Sequence, residues 1–210
     1  MLSLVTGGVL SAVTPWIHRK LDTAGKEKIS DAFRLIIKAL VIMTLVFLSA
    51  VPEIFRFIGR DSYYSALGAI YPVAVSVIFI FMSNVYSSII MHMGRPSAIT
   101  VNSVISALCS IVIGYLMIKK LGYIGGAYSS LISYALLFLL NRSSARHLSD
   151  VRLLNLRDTL TFLVIIIAFL ILLLFIREFR LSRILVMIAL VLSAMPLLPK
   201  CKSLLTDASK

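Results

Sequence analysis

Apolar residues run almost unbroken through positions 1–17, 35–51, 66–87, 98–118, 121–141, 159–176 and 184–199, and the charged residues gather between these runs. No run shows the strict alternation of a half-buried strand, and each approaches the roughly 20 residues that a helix needs to cross the hydrocarbon layer of a bilayer. The pattern predicts an all-α polytopic membrane helix bundle of about seven transmembrane helices. The first, sixth and seventh runs are short for a span, which flanking arginines can offset by snorkelling to the headgroups. For the last two, a re-entrant hairpin is the alternative.

Composition narrows the choice. Of 210 residues, 60% are hydrophobic and 14% charged, against roughly 45–50% and about 25% in soluble domains. Lipid is therefore the principal solvent for these side chains, and the spans leave no room for a soluble catalytic domain. A formal net charge of +12 would point to nucleic acid in a soluble protein. Here the basic residues sit in the loops without an aromatic-plus-basic motif, so no nucleic-acid partner is expected. Cys109 and Cys201 have neither CxxC nor Cys/His spacing, which indicates no disulfide framework, no metal site and no cofactor.

The loop charges also predict an orientation. One set of alternate loops carries Arg19, Lys20, Lys26, Lys28 and Arg34, then Arg95, then Arg142, Arg146, Arg152 and Arg157, then Lys200, Lys202 and Lys210. The other carries only Arg56, Arg60, Lys119, Lys120, Arg177, Arg180 and Arg183. The richer set belongs in the cytoplasm, so Met1 is expected outside and Lys210 inside. No basic segment precedes the first run, so it does not read as a signal peptide. An outside start with an odd number of spans reads as a chain whose earlier spans are missing.

Within the runs, small and polar residues recur at helical spacing. Ser3, Gly7 and Ser11 form one stripe with Thr6 and Thr14 beside it; Ser106, Ser110 and Gly114 form another, and Gly122, Gly126 and Ser130 a third. Close helix packing accounts for such stripes, though the first also suits the lining of a cavity. Ser76, Ser83, Asn84, Ser87 and Ser88 gather near Tyr71 and Tyr86. A carboxamide in hydrocarbon needs a partner or water, which makes Asn84 and Tyr86 binding candidates.

Lys38 is the one charge inside an expected span. It either faces a water-filled cavity or snorkels to the cytoplasmic headgroups. Gly25-Lys26-Glu27 lacks the rest of a phosphate-binding loop, and there is no HExxH. His92 and His147 fall in basic loops, and no acid falls in an expected span, so no buried proton relay and no enzyme is expected. Asn141-Arg142-Ser143 fits a glycosylation sequon but lies on the expected cytoplasmic side. The basic segment 142–158, with Leu148, Val151 and Leu154 at helical spacing, is expected to rest on anionic headgroups as a linker.

Four segments then stand in a suggestive order: Pro15-Trp16-Ile17 before a basic loop; Val51-Pro52-Glu53-Ile54-Phe55-Arg56-Phe57-Ile58-Gly59 followed by Tyr63-Tyr64-Ser65-Ala66-Leu67; Met93-Gly94-Arg95-Pro96; and Leu121-Gly122-Tyr123-Ile124-Gly125-Gly126-Ala127-Tyr128. Together they resemble the carboxy-terminal half of polysaccharide flippases of the multidrug/oligosaccharidyl-lipid/polysaccharide exporter superfamily. The resemblance covers residues 1–141, as spans eight to twelve of that family. Residues 142–158 would be a cytoplasmic linker, and 159–210 an additional pair of spans with a cytoplasmic tail. The entire first bundle and the first span of the second are missing relative to the family.

The resemblance implies one lobe of a two-lobe flippase in a bacterial cytoplasmic membrane. Its substrate would be an undecaprenyl-pyrophosphate-linked glycan for O-antigen, capsule or exopolysaccharide synthesis, moved by alternating access with the missing amino-terminal lobe. Under that reading Lys38 and Arg95 meet the anionic linkage near the cytoplasmic entrance, and Arg56 and Arg60 assist release outside. Asn84, Tyr86 and Asn102 hydrogen-bond sugar or phosphate, while Ser3, Thr6 and Thr14 line the first helix. The competing expectation is a small polytopic structural or assembly subunit that binds partner helices through its Gly and Ser stripes and transports nothing.

Overall fold

The computed structural model describes residues 2–22, 26–58 and 67–148, together with the isolated positions 161, 164 and 168. Five helices make up these residues: α1 (Leu2–Asp22), α2 (Lys26–Ile58), α3 (Leu67–His92), α4 (Pro96–Leu121) and α5 (Tyr123–Leu148). The expected spans at 159–176 and 184–199, and most of the expected linker, lie outside the described residues.

Two tight corners order the last three helices, and glycine makes both. At the α3–α4 corner the Arg95 N–H donates to the Ile90 carbonyl and the Gly94 N–H to that of Met91, the paired bonds of a Schellman motif. Gly94 takes φ +71°, a conformation that costs any side-chain-bearing residue roughly 1–2 kcal/mol. Pro96 then opens α4, where a missing N–H leaves nothing unpaired. At the α4–α5 corner only Gly122 stands outside a helix, with φ +60° and its N–H bonded to the Ile118 carbonyl.

The register follows from these turns. Along α4 and α5 the partners run in opposite directions: Asn102 meets Asn141, Ser106 meets Ser133 and Ser110 meets Ser129. Between α3 and α5 they run together, with Gly68 beside Ile124, Phe79 beside Phe138 and Ser83 beside Asn141. At the α4–α5 corner a Cβ on Gly125 would collide with the Met117 carbonyl, so the backbones approach as closely as a missing side chain allows.

α3 is the hub. Seven-tenths of its apolar stretch (72%) is buried, against 11% for α4, because α1, α2, α4 and α5 all contact it. Its core contacts are aromatic. Phe33 of α2 stacks on Phe81 and meets Tyr86 edge-on, while Phe138 of α5 lies against Phe79 and Tyr86 with centroids 6.0 and 5.8 Å away. α4 instead exposes Val101, Val104, Leu108, Ile111, Val112 and Leu116, the side-chain types a lipid-facing surface carries.

Four of the five helices, α2 to α5, hold a stretch long and apolar enough to cross a membrane. α1 is not among them, because its apolar stretch runs into His18 and Arg19 before a full span is complete, with Thr6, Gly7, Gly8, Thr14 and Pro15 diluting the rest. The boundaries also move. α2 extends well before position 35 and beyond 51, giving a helix about 50 Å long. α5 continues past 141 to Leu148, so the first residues of the expected linker are helical. These extensions bring Glu53 and Arg142 inside helices of spanning length. Both lie beyond the apolar runs 35–51 and 121–141, within which Lys38 remains the one charged residue.

Candidate functional site

Where α3, α4 and α5 converge, polar side chains form a closed seam. The Asn141 amide donates to Ser83 Oγ at 2.8 Å and Ser87 Oγ at 2.9 Å. Its carbonyl oxygen accepts from the Asn102 amide at 2.9 Å, and that same amide also donates to Ser144 Oγ at 2.9 Å. The seam continues along α4 and α5 as Ser106 Oγ donates to the Ser133 carbonyl and Ser129 Oγ to that of Ser110. Helical spacing produces it: Ser83 and Ser87 are one turn apart, as are Ser106 and Ser110, so each pair shares a face. A buried amide in lipid must find such partners, and here every donor on both carboxamides has one.

Arg142 adjoins this seam. It is 3% exposed, with its guanidinium 6.0 Å from the centre of the Phe138 ring, at the outer limit of a cation–π contact. Toward the same end of the bundle, His18 of α1 reaches α3. Its Nε2 lies 2.9 Å from Ser88 Oγ and 3.3 Å from the Ser88 carbonyl oxygen. Its ring centre is 5.0 Å from that of His92.

The sequence-predicted residues divide into four sets. Asn102 and Tyr86 are buried inside the bundle: Asn102 spends its amide on Asn141 and Ser144, and Tyr86, 1% exposed, is part of the aromatic core. In this structure both are enclosed by neighbouring helices and make contacts within the bundle. Lys38, Asn84 and Arg95 are exposed. Asn84 thus points away from the serine cluster to which its sequence neighbours belong, because one residue along a helix turns the side chain by about 100°. On α1, Ser3 is exposed and Thr6 and Thr14 are half-buried. Both threonine hydroxyls bond back to carbonyls of their own helix, at 3.0 and 2.8 Å. Arg56 lies in the last turn of α2, its side chain outside the described residues, as is Arg60 altogether.

Three participants escaped the sequence reading: Asn141, Arg142 and His18. All sit where charge was taken to end a span. The available signal was the apolar period continuing through Phe138, Asn141, Ala145 and Leu148, one face of a longer helix. Asn141 is 1% exposed, so the sequon at 141–143 lies on a buried face. Ser106, Ser110 and Gly114 face Ser129 and Ser133 within the chain, whereas Gly7 meets no neighbour and the α1 stripe faces outward.

Among the described residues no group of three or more His, Cys, Asp or Glu side chains is placed to hold a metal. The seam itself offers amides and hydroxyls, groups that bind and position but neither attack nor shuttle protons unaided. No protein-family model, no curated protein and no solved structure matches the chain.

Proposed function

We propose that this chain is the carboxy-terminal lobe of a flippase that moves a polyprenyl-pyrophosphate-linked oligosaccharide across a bacterial cytoplasmic membrane, working against an amino-terminal lobe by alternating access. The observation that carries this reading is the depth of two exposed polar side chains. Lys38 stands roughly 13 Å along α2 from Ile29, one turn beyond Arg34, and Asn84 stands roughly 12 Å along α3 from His92. Both are exposed, and both distances start from the end of the bundle where α2 begins and α3 finishes. An ammonium group and a carboxamide at that depth are costly against acyl chains and stable against water or a polar partner.

The α1 face of Ser3, Gly7 and Ser11 supports the same surface. It is exposed and made of small residues, suited to close approach by another lobe. A doubly anionic linkage leaving water needs fixed positive charge, and Lys38 supplies it about a third of the way along the apolar stretch of α2 while Arg95 supplies it at the corner between α3 and α4. The seam keeps α3, α4 and α5 together as one rigid unit while the lobes move. Because the α4 stripe of Ser106, Ser110 and Gly114 is used up inside the chain, it favours this reading over a docking subunit that would offer it to partners.

The test is surface glycan in cells carrying Lys38→Gln, Lys38→Arg or Asn84→Leu, with protein levels matched. The expected outcome is loss of glycan and accumulation of lipid-linked precursor in Lys38→Gln, with Lys38→Arg retaining function. Undiminished glycan in Lys38→Gln and Asn84→Leu together overturns the proposal.

A further inference from the structure

The outward side of α4 ends on two lysines. Leu108, Ile111, Val112, Tyr115 and Leu116 are exposed at helical spacing, and exposed Lys119, one turn after Tyr115, ends the same face. Lys120, also exposed, adjoins it at the α4–α5 corner. The small residues Ser106, Ser110 and Gly114 lie on the opposite side, against Ser129 and Ser133 of α5. Close helix packing in a membrane uses small residues, so α4 has its helix contact inside and a face of large apolar side chains outside. No Asp or Glu occurs in residues 67–148, so α3, α4 and α5 carry no carboxylate to neutralise the two ammonium groups. Gly122 alone separates α4 from α5, which keeps both lysines in the last turn of a helix of spanning length rather than on a loop reaching into water.

We infer that this end of α4 is a docking site for one phospholipid with an anionic headgroup, its phosphate held by Lys119 and Lys120 and an acyl chain lying along positions 108–116. The lengths agree. Half of the hydrocarbon layer is roughly 15 Å thick, and Leu108 lies roughly 17 Å along α4 from Lys119, so one leaflet's chain covers that stretch. Tyr115 has the apolar ring and polar hydroxyl that suit the boundary between acyl chains and headgroups. A lysine ammonium is a point charge on a flexible stem and meets phosphate oxygens without a fixed fork geometry. A zwitterionic headgroup brings its own cation, which the lysines repel. Each lysine beside an anionic headgroup favours it by roughly fivefold. A second copy packing here would need small residues, and the five apolar positions hold none. The site is at the opposite end of α4 from Arg95 and does not depend on what the chain transports.

The experiment places the purified full chain in phosphatidylcholine nanodiscs with a trace of a diazirine-bearing lipid, either phosphatidylglycerol or phosphatidylcholine with the same acyl chains. Label is mapped by mass spectrometry after illumination. The phosphatidylglycerol probe is expected to mark positions 108–116 at least about fivefold more than the phosphatidylcholine probe. Unlabelled phosphatidylglycerol competes this label away, whereas inorganic phosphate and water-soluble glycerophosphoglycerol do not. Lys119→Gln combined with Lys120→Gln brings the two probes close to parity, and Lys119→Arg combined with Lys120→Arg keeps the preference. The wild-type comparison needs no variant to fold. Equal marking of this segment by the two probes, no marking by either, or displacement by inorganic phosphate or glycerophosphoglycerol overturns the inference. So does a preference that survives in the double Gln variant.

Discussion

Replacing Asn141 with alanine removes three interhelical hydrogen bonds at once: two donated to α3 serines and one accepted from Asn102 of α4. In a membrane, a side-chain hydrogen bond between helices contributes about 0.6 kcal/mol on average, less than intuition suggests because the separated helices find other partners. Three such bonds give a cost of about 2 kcal/mol. The Asn102→Ala change removes two bonds, one of them shared with Asn141, and should cost about 1.2 kcal/mol. The double variant should then cost about 2.5 kcal/mol rather than the sum of the singles, because the shared bond is lost only once. Asn84→Ala is the control, an exposed carboxamide on the same central helix. Reversible unfolding in bicelles, driven by steric trapping, measures all four. An Asn141→Ala cost within about 0.5 kcal/mol of the Asn84→Ala cost would show that the seam does not hold the helices together.

Further outcomes follow from close approaches and backbone geometry. Gly125→Ala should destabilise the α4–α5 corner far more than Gly126→Ala, because the added methyl meets a backbone carbonyl of Met117 in the first case and the end of the Ile118 side chain, at 3.9 Å, in the second; thermal unfolding in detergent compares the two. Gly94→Ala should cost about 1–2 kcal/mol through its left-handed backbone alone, since no neighbour stands within 4 Å of the added carbon. Phe138→Leu removes ring contacts to Phe79 and Tyr86 and should cost about 1–3 kcal/mol, at roughly 0.5–1.5 kcal/mol for each aromatic pair. An unchanged unfolding midpoint would contradict that role for the aromatic core.

The outline of this protein was legible in its hydrophobic runs. Helices α3, α4 and α5 stand close to where uninterrupted apolar sequence places them, and Gly94-Arg95-Pro96 and Gly122 mark their corners through chemistry that is local to the chain. Helix ends were less legible. Lys26 to Arg34 and Arg142 to Leu148 are helical although charged, because a helix does not stop where the lipid stops and nothing in those segments breaks it. The stripe of Ser106, Ser110 and Gly114 was correctly visible as a packing face, since its meaning depends only on helical period.

Local sequence determined composition, helix count in the described part, and which residues share a face. Tertiary structure alone decided which faces close on each other. Asn84 and Ser83 are adjacent, yet one is exposed and the other bonded to a helix that starts forty residues later. Tyr86 and Asn102 lie in the interior of the bundle, and His18 rests against His92 from another helix. The physical reason is that between helices in lipid the apolar surfaces scarcely discriminate one partner from another. The choice falls to a few polar groups that must pair and a few glycines that permit contact, and their partners lie at sequence distances no periodicity reveals.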